Sequence, residues 1–205
     1  MGTDHILKNG SAALNNCAFV STIKNLPNAM STLMDLLMLG VGVGFDLKGA
    51  GTKLIRASNR KEELIIDDSR EGWCKALLTL IESYTNVDNF VPGVKFNYTK
   101  IRPAGTPIKG FGGVSSGYKP LEEMLEAIRT ILDKAAEFGQ LSSIDILDIG
   151  NLIGKCVVSG NIRRSAELCL GEFDDKPFIY AKYGDNPAIA DHRWASNNSV
   201  IAELG

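Results

Sequence analysis

The sequence is poor in the residues that hold metals. It has two histidines and four cysteines in 205 residues. Cys17, Cys74, Cys156 and Cys169 are widely scattered, with no CxxC and no cysteine–histidine pairing at metal spacing, so no metal ligand is expected. A surplus of charge of one sign is missing too. A net charge of -2 gives a whole-protein field that attracts neither a nucleic-acid polymer nor an anionic membrane, although local basic clusters could still bind a small phosphate. No long hydrophobic run occurs. The longest nearly uncharged stretch, 29–45, contains Asp35 and several glycines and is too short and interrupted to span a bilayer. No basic segment leads into an apolar one at the N-terminus, so a cytoplasmic location is expected. What remains is 44% hydrophobic and 22% charged, a globular composition sufficient for one core or a large part of a bigger one.

The stretch 14–22 places Cys17 after two amide side chains and before a short alternating run, at the start of a half-buried strand. A thiol there is either a small core residue or a sheltered but reachable group. Residues 26–28 form a loop with a capping residue, and Leu33, Met34, Leu37 and Met38 recur at helical spacing over 30–39, with Gly40 as the stop. Residues 41–46 alternate β-branched residues with glycine, the pattern of a buried strand approached closely by other backbone. Strand, helix and strand in about thirty residues predict a parallel crossover unit. The glycines of 40–44 lie inside the strand, which makes them a weak phosphate-loop signal.

Polar and basic residues fill 56–63. Ser69 or Asp68 then caps a helix whose Trp73, Leu77, Leu80, Ile81 and Tyr84 form one stripe, facing either this domain or a partner. A strand is read from Val94, Phe96 and Tyr98, ending in a turn rigidified by Pro103 and Pro107. The glycine- and serine-rich segment 109–117, flanked by Lys109 and Lys119, suits either an anion-binding loop at a helix start or a flexible linker. The helix that follows carries Pro120 in its first turn, an apolar face from Leu121 to Ala135, and Gly139 as its stop. A second helix, 143–157, is apolar over a wide face and places Cys156 in the core. Arg163 and Arg164 beside a Ser-Gly-Asn turn could grip phosphate or carboxylate bidentately or stay as a solvated pair. An alternating strand with Cys169, a short helix or turn over 174–183, and an amide-rich approach to a last strand complete the chain.

Five motifs, in order, carry a resemblance: Asn-Asn-Cys-Ala-Phe-Val-Ser-Thr at 15–22; Gly-Val-Gly-Val-Gly-Phe-Asp at 40–46; Ile-Arg-Pro-Ala-Gly-Thr-Pro-Ile at 101–108 with Gly-Phe-Gly-Gly at 110–113; Ser-Gly-Asn-Ile-Arg-Arg-Ser-Ala at 159–166; and Ser-Asn-Asn-Ser-Val at 196–200. Together they resemble the adenosylcobalamin-dependent ribonucleotide reductases of the monomeric, triphosphate-reducing type. The resemblance implies an α/β fold, about the first half of a ten-stranded α/β barrel, with an inserted effector-binding subregion. The implied divisions are 1–47 for the first barrel strands and helix, 48–99 for an insertion that imitates a dimer interface, and 100–205 for the continuing half-barrel.

The resemblance further implies that Cys17 is one member of the redox-active dithiol. It assigns Asn16, Ser21, Asn161 and Asn198 to the substrate, and Asp46, Lys48, Lys100, Arg102, Gly112, Gly113 and Ser115 to a deoxynucleoside triphosphate effector. A glycine-rich loop, 110–117, would relay effector identity to substrate choice, because switching needs backbone freedom. The implied cofactor is adenosylcobalamin, the substrate a ribonucleoside triphosphate and the reductant a thioredoxin-type protein. The family's radical cysteine lies in an Asn-x-Cys-x-Glu motif absent here. The second redox cysteine and the C-terminal shuttle pair are likewise expected beyond Gly205, so the chain is expected to be an internal stretch of a reductase. The rival readings are a nucleotide-binding module without radical chemistry, an interaction domain using the Trp73 face, and a reductase class that relies on iron or manganese.

Overall fold

Short β-prone runs alternate with amphipathic helices, and the named strands all pair in parallel with one another. The computed structural model describes residues 16–55, 61–86, 92–108, 113–159, 166–183 and 191–202. Strand β1 (Cys17–Val20) crosses over through helix α1 (Leu26–Met38) to β2 (Gly42–Asp46), with Cys17 opposite Gly42 and Val20 opposite Phe45. Helix α1 begins earlier than the apolar spacing alone indicates. Its cap is Asn25, whose side chain accepts from the Asn28 amide at 3.0 Å, and Pro27 sits in the first turn, where no amide donor is required. Gly40, at φ 84°, ends it as expected.

A second parallel pair follows. Strand β3 (Lys61–Ile65), helix α2 (Arg70–Thr85) and β4 (Gly93–Asn97) form a small βαβ unit. Strand β3 is not marked in the sequence pattern, because its side chains are mostly exposed and charged, which hides the alternation. Strand β4 is shorter than the alternation expected: the chain leaves the sheet after Asn97, and the Ile101 amide turns back to the Tyr98 carbonyl at 3.0 Å. Ser69 caps α2 by accepting from Gly72.

Helices α3 (Lys119–Phe138) and α4 (Ser143–Val158) precede β5 (Ala166–Glu172). Helix α4 opens with a reciprocal capping box between Ser142 and Asp145. A one-turn helix, α5 (Lys176–Ile179), and a 3-10 turn at Arg193–Ala195 lead into β6 (Ser196–Ile201). The main sheet is ordered β1-β2-β5-β6 and is parallel throughout.

The helices form a ring. α1 packs on α2 and α4, and α3 packs on both α2 and α4. The Trp73–Tyr84 stripe therefore faces this domain, with Leu77, Leu80 and Ile81 fully buried. Polar links reinforce the ring: Arg70 reaches Asp35 on α1 at 2.9 Å, and the Tyr84 hydroxyl donates to Asp133 on α3 at 2.6 Å. Helix α4 lies directly on the sheet. A Cβ added at Gly150 would overlap the Phe45 ring of β2, and one at Gly154 would overlap the Glu167 carboxylate of β5. Among the described residues no helix is long and apolar enough to cross a membrane.

Candidate functional site

Helices α1 and α4 cover one face of the main sheet, and among the described residues no helix covers the other, the bare face. Paired residues on neighbouring parallel strands point the same way, so Cys17, Gly42 and Ala166 form one row on the bare face. Phe19, Gly44, Leu168 and Asn197 form the next. Phe19 is 54% exposed and Leu168 38%, whereas Val43, Phe45 and Cys169, of opposite phase, are buried under the helices. Gly42 and Ala166 keep the row beside Cys17 low, with no side chain larger than a methyl. Phe19 bounds it, with its ring so close to Gly44 that an added Cβ there would stand 2.8 Å from it.

Cys17 is the exposed cysteine; Cys74, Cys156 and Cys169 are free and buried. Burial pushes the Cys74 and Cys156 thiols up to about 12, and pushes Cys169 up as well, so all three stay protonated and inert. Among the described residues Cys17 is thus exposed rather than packed in the core, and Cys156 is in the core as expected. Asn16 holds the approach in place. It adopts a left-handed conformation, φ 51°, and its carbonyl accepts from the Gly42 amide at 2.8 Å. Asparagine tolerates this region better than most residues.

The residues assigned to substrate do not all meet at Cys17. Ser21 lies past the other end of β1, about 13 Å along the strand. Asn198 is opposite Cys169, on the helix-covered side, where it accepts from the Ser196 hydroxyl at 3.2 Å. Its neighbour Asn197 is the exposed amide on the bare face, which the motif alone did not distinguish. Asn161 lies outside the described residues.

The effector set divides in two. Asp46 is buried, and its Oδ1 accepts from the Thr22 amide at 2.8 Å, the Thr22 hydroxyl at 2.7 Å and the Lys48 amide at 3.3 Å. Burial opposes ionisation of Asp46, but hydrogen bonds from Ser21, Thr22 and Lys48 outweigh it and hold the carboxyl below its usual range. The residue is thus spent inside the fold, tying the end of β1 to the turn after β2. Thr22, which also accepts from the Gly49 amide at 2.7 Å, completes this knot and was not singled out from sequence. Lys48 is exposed and lines a cleft of about 390 Å³ with Ser143 at the start of α4, Glu172 and Asp175.

Lys100 and Arg102 stand apart from that cleft, in ion pairs with Asp67 at 2.7 Å and Asp68 at 2.6 Å, just ahead of α2. Gly113 and Ser115 join them through a short antiparallel turn, in which Ile108 donates to Gly113 and Ser115 to Thr106. Gly112 and the rest of 109–112 lie outside the described residues.

The described residues do not fit a corrinoid. Three clefts among them measure about 390 to 460 Å³, each with room for a much smaller ligand. His192 is held against Asp148 at 3.1 Å, and no cluster of three metal-ligating side chains occurs among the described residues.

The chain is similar to known proteins along nearly its whole length. Residues 51–132 match the family model described as B12-dependent ribonucleotide reductase, insertion domain, a span that runs from the end of the β2 turn into α3. A probable adenosylcobalamin-dependent ribonucleoside-triphosphate reductase of Dictyostelium discoideum is 45% identical over 95% of this chain and 28% of its own length. The corresponding Euglena gracilis protein is 45% identical over 100% of this chain and 29% of its own. That of Levilactobacillus brevis is 35% identical over 98% of this chain and 34% of its own. Its alignment runs to 259 residues, longer than the chain, so the bacterial protein has residues in this span that the chain lacks. A crystal structure of a B12-dependent (class II) ribonucleotide reductase superposes with a TM-score of 0.75 at 30% identity, over 97% of this chain and 34% of that one. The chain thus spans about a third of the length of these relatives.

Proposed function

We infer that this chain belongs to the adenosylcobalamin-dependent ribonucleotide reductases and forms part of a catalytic chain that reduces ribonucleoside triphosphates. The supporting observation is Cys17, an exposed thiol at the head of a parallel strand, on the sheet face that no described helix covers and in one row with Gly42 and Ala166. In this role Cys17 and a second thiol each give up one electron and one proton. The C2′–O bond breaks, the oxygen leaves as water, a C2′–H bond forms, and the sulfurs join as a disulfide. An exposed thiol suits the next step, exchange with a thioredoxin-type dithiol. Thiol chemistry of this kind also suits a reducing compartment, in keeping with a cytoplasmic location. The radical that starts the reaction is the contribution of adenosylcobalamin, bound by residues other than those described.

The segment around α2 and α3 is proposed to carry the deoxynucleoside triphosphate effector. The closed ring of four helices supports this, because α2 and α3 cover surfaces of α1 and α4 from within the same chain, as the resemblance implies for an insertion that imitates a dimer interface. Within the region Lys100, Arg102, Gly113 and Ser115 are contiguous candidates. Lys48 stands in a separate cleft, and Asp46 acts as scaffold. Neither a nucleotide-binding module without radical chemistry nor an iron- or manganese-dependent class is favoured by the relatives.

The test is ribonucleoside triphosphate reduction by the full-length protein, assayed with and without adenosylcobalamin under a dithiol reductant. Turnover that requires the cofactor is expected; turnover indifferent to it would overturn the class.

A further inference from the structure

Among the described residues β6 is an edge strand, and an edge held by one ladder alone is prone to slip in register. Its first residue is clasped from outside the ladder. Asn151 of α4, fully buried, donates through Nδ2 to the Ser196 hydroxyl at 3.1 Å and to the Leu147 carbonyl at 2.8 Å. Its Oδ1 accepts the Ser196 backbone N–H at 3.0 Å. Lys182 donates to the Ser196 carbonyl, and the Ser196 hydroxyl donates to Asn198. One turn back on α4, Asp148 holds Arg193 bidentately at 2.6 and 2.8 Å, which fixes the approach to the strand.

Side chains in a strand alternate between faces, so a slip of one residue would turn Asn197 away from the bare face and present an adjacent residue there. In the observed register Asn197 is the β6 side chain nearest the Cys17 row on that face, about 14 Å across the sheet from Phe19. Its carboxamide offers both donor and acceptor to a base, sugar or phosphate.

We propose that Asn197 is a substrate-contacting residue on the Cys17 face, and that buried Asn151 is the positioning residue that holds it there by clasping Ser196. The inference rests on the reading of the chain as part of a reductase, and it names a contact that the resemblance had given to Asn198.

The test uses the full-length protein with adenosylcobalamin, dithiol and a ribonucleoside triphosphate, measuring KM and kcat separately together with the effector Kd. Asn197→Ala is expected to raise KM about five- to tenfold, the loss of one hydrogen-bonding group, with the effector Kd unchanged. Asn151→Leu, which never meets solvent, is expected to reproduce that rise, and the double variant to be no worse than either single one. Where Asn151→Leu yields no folded protein, Ser196→Ala decides. It removes the hydroxyl bonds and keeps the backbone bond to Asn151, so a smaller rise in KM is expected. An active wild type whose KM is unmoved by Asn197→Ala, or a loss of kcat alone in Asn151→Leu or Ser196→Ala, would overturn the proposal. A wild type that reduces no ribonucleotide would overturn the functional reading and this proposal with it.

Discussion

Asp46 shows how far a residue's type can mislead about its task. An acidic side chain at the C-terminal end of a parallel strand has the position of a ligand contact, yet here its Oδ1 is occupied by Thr22 and Lys48. Asp46→Asn is expected to cost about 1–3 kcal/mol near neutral pH, because the amide returns weaker hydrogen bonds to the same donors. The folded pKa is depressed below the unfolded value of about 3.9, so this contribution is complete above that value and is lost as pH falls through the folded pKa. Unfolding midpoints of wild type and variant should therefore converge below about pH 4. A gap that persists unchanged into strong acid would contradict the role given to the carboxylate. Cys17, in contrast, was legible by its company: two amides before it and an alternating run after it marked a strand start. The phase that distinguishes Asn197 from Asn198 was not legible, since period-2 alternation tells which residues share a face but not which face is covered.

At the scale of elements, the capped, amphipathic helices were read well, because caps and apolar spacing are local. Ser69, Pro120 and Gly139 all stand where those rules put them. Strand β3 was lost because solvent covers most of its side chains, and β4 was overrun because alternation continues through Tyr98 after the ladder stops. The close seating of α4 had a signal that went unused, the pair Gly150 and Gly154 four residues apart on one buried face. In an exposed helix a Gly→Ala change stabilises by about 1 kcal/mol. Gly150→Ala is expected to do the opposite and destabilise by about 1–3 kcal/mol, since the new methyl must displace the Phe45 ring. Urea unfolding reads the sign directly, and a stabilised variant would show that α4 does not rest on β2 as described.

For the whole molecule, the parallel α/β plan followed from strand–helix–strand spacing, but the ring of helices did not. The apolar stripe of α2 shows that it must be covered, but no local pattern says that α1 and α3 cover it. The ring leaves one sheet face bare, with Cys17 on it and the other three cysteines sealed away. That division of the thiols is the central claim: one is available for exchange and the rest are structural. The most direct measurement is turnover by the full-length protein carrying Cys17→Ser, with adenosylcobalamin and a thioredoxin-type reductant, counted as product formed per enzyme. The account predicts at most a single round, because no disulfide can form and be renewed; sustained multiple turnover by the variant would contradict it.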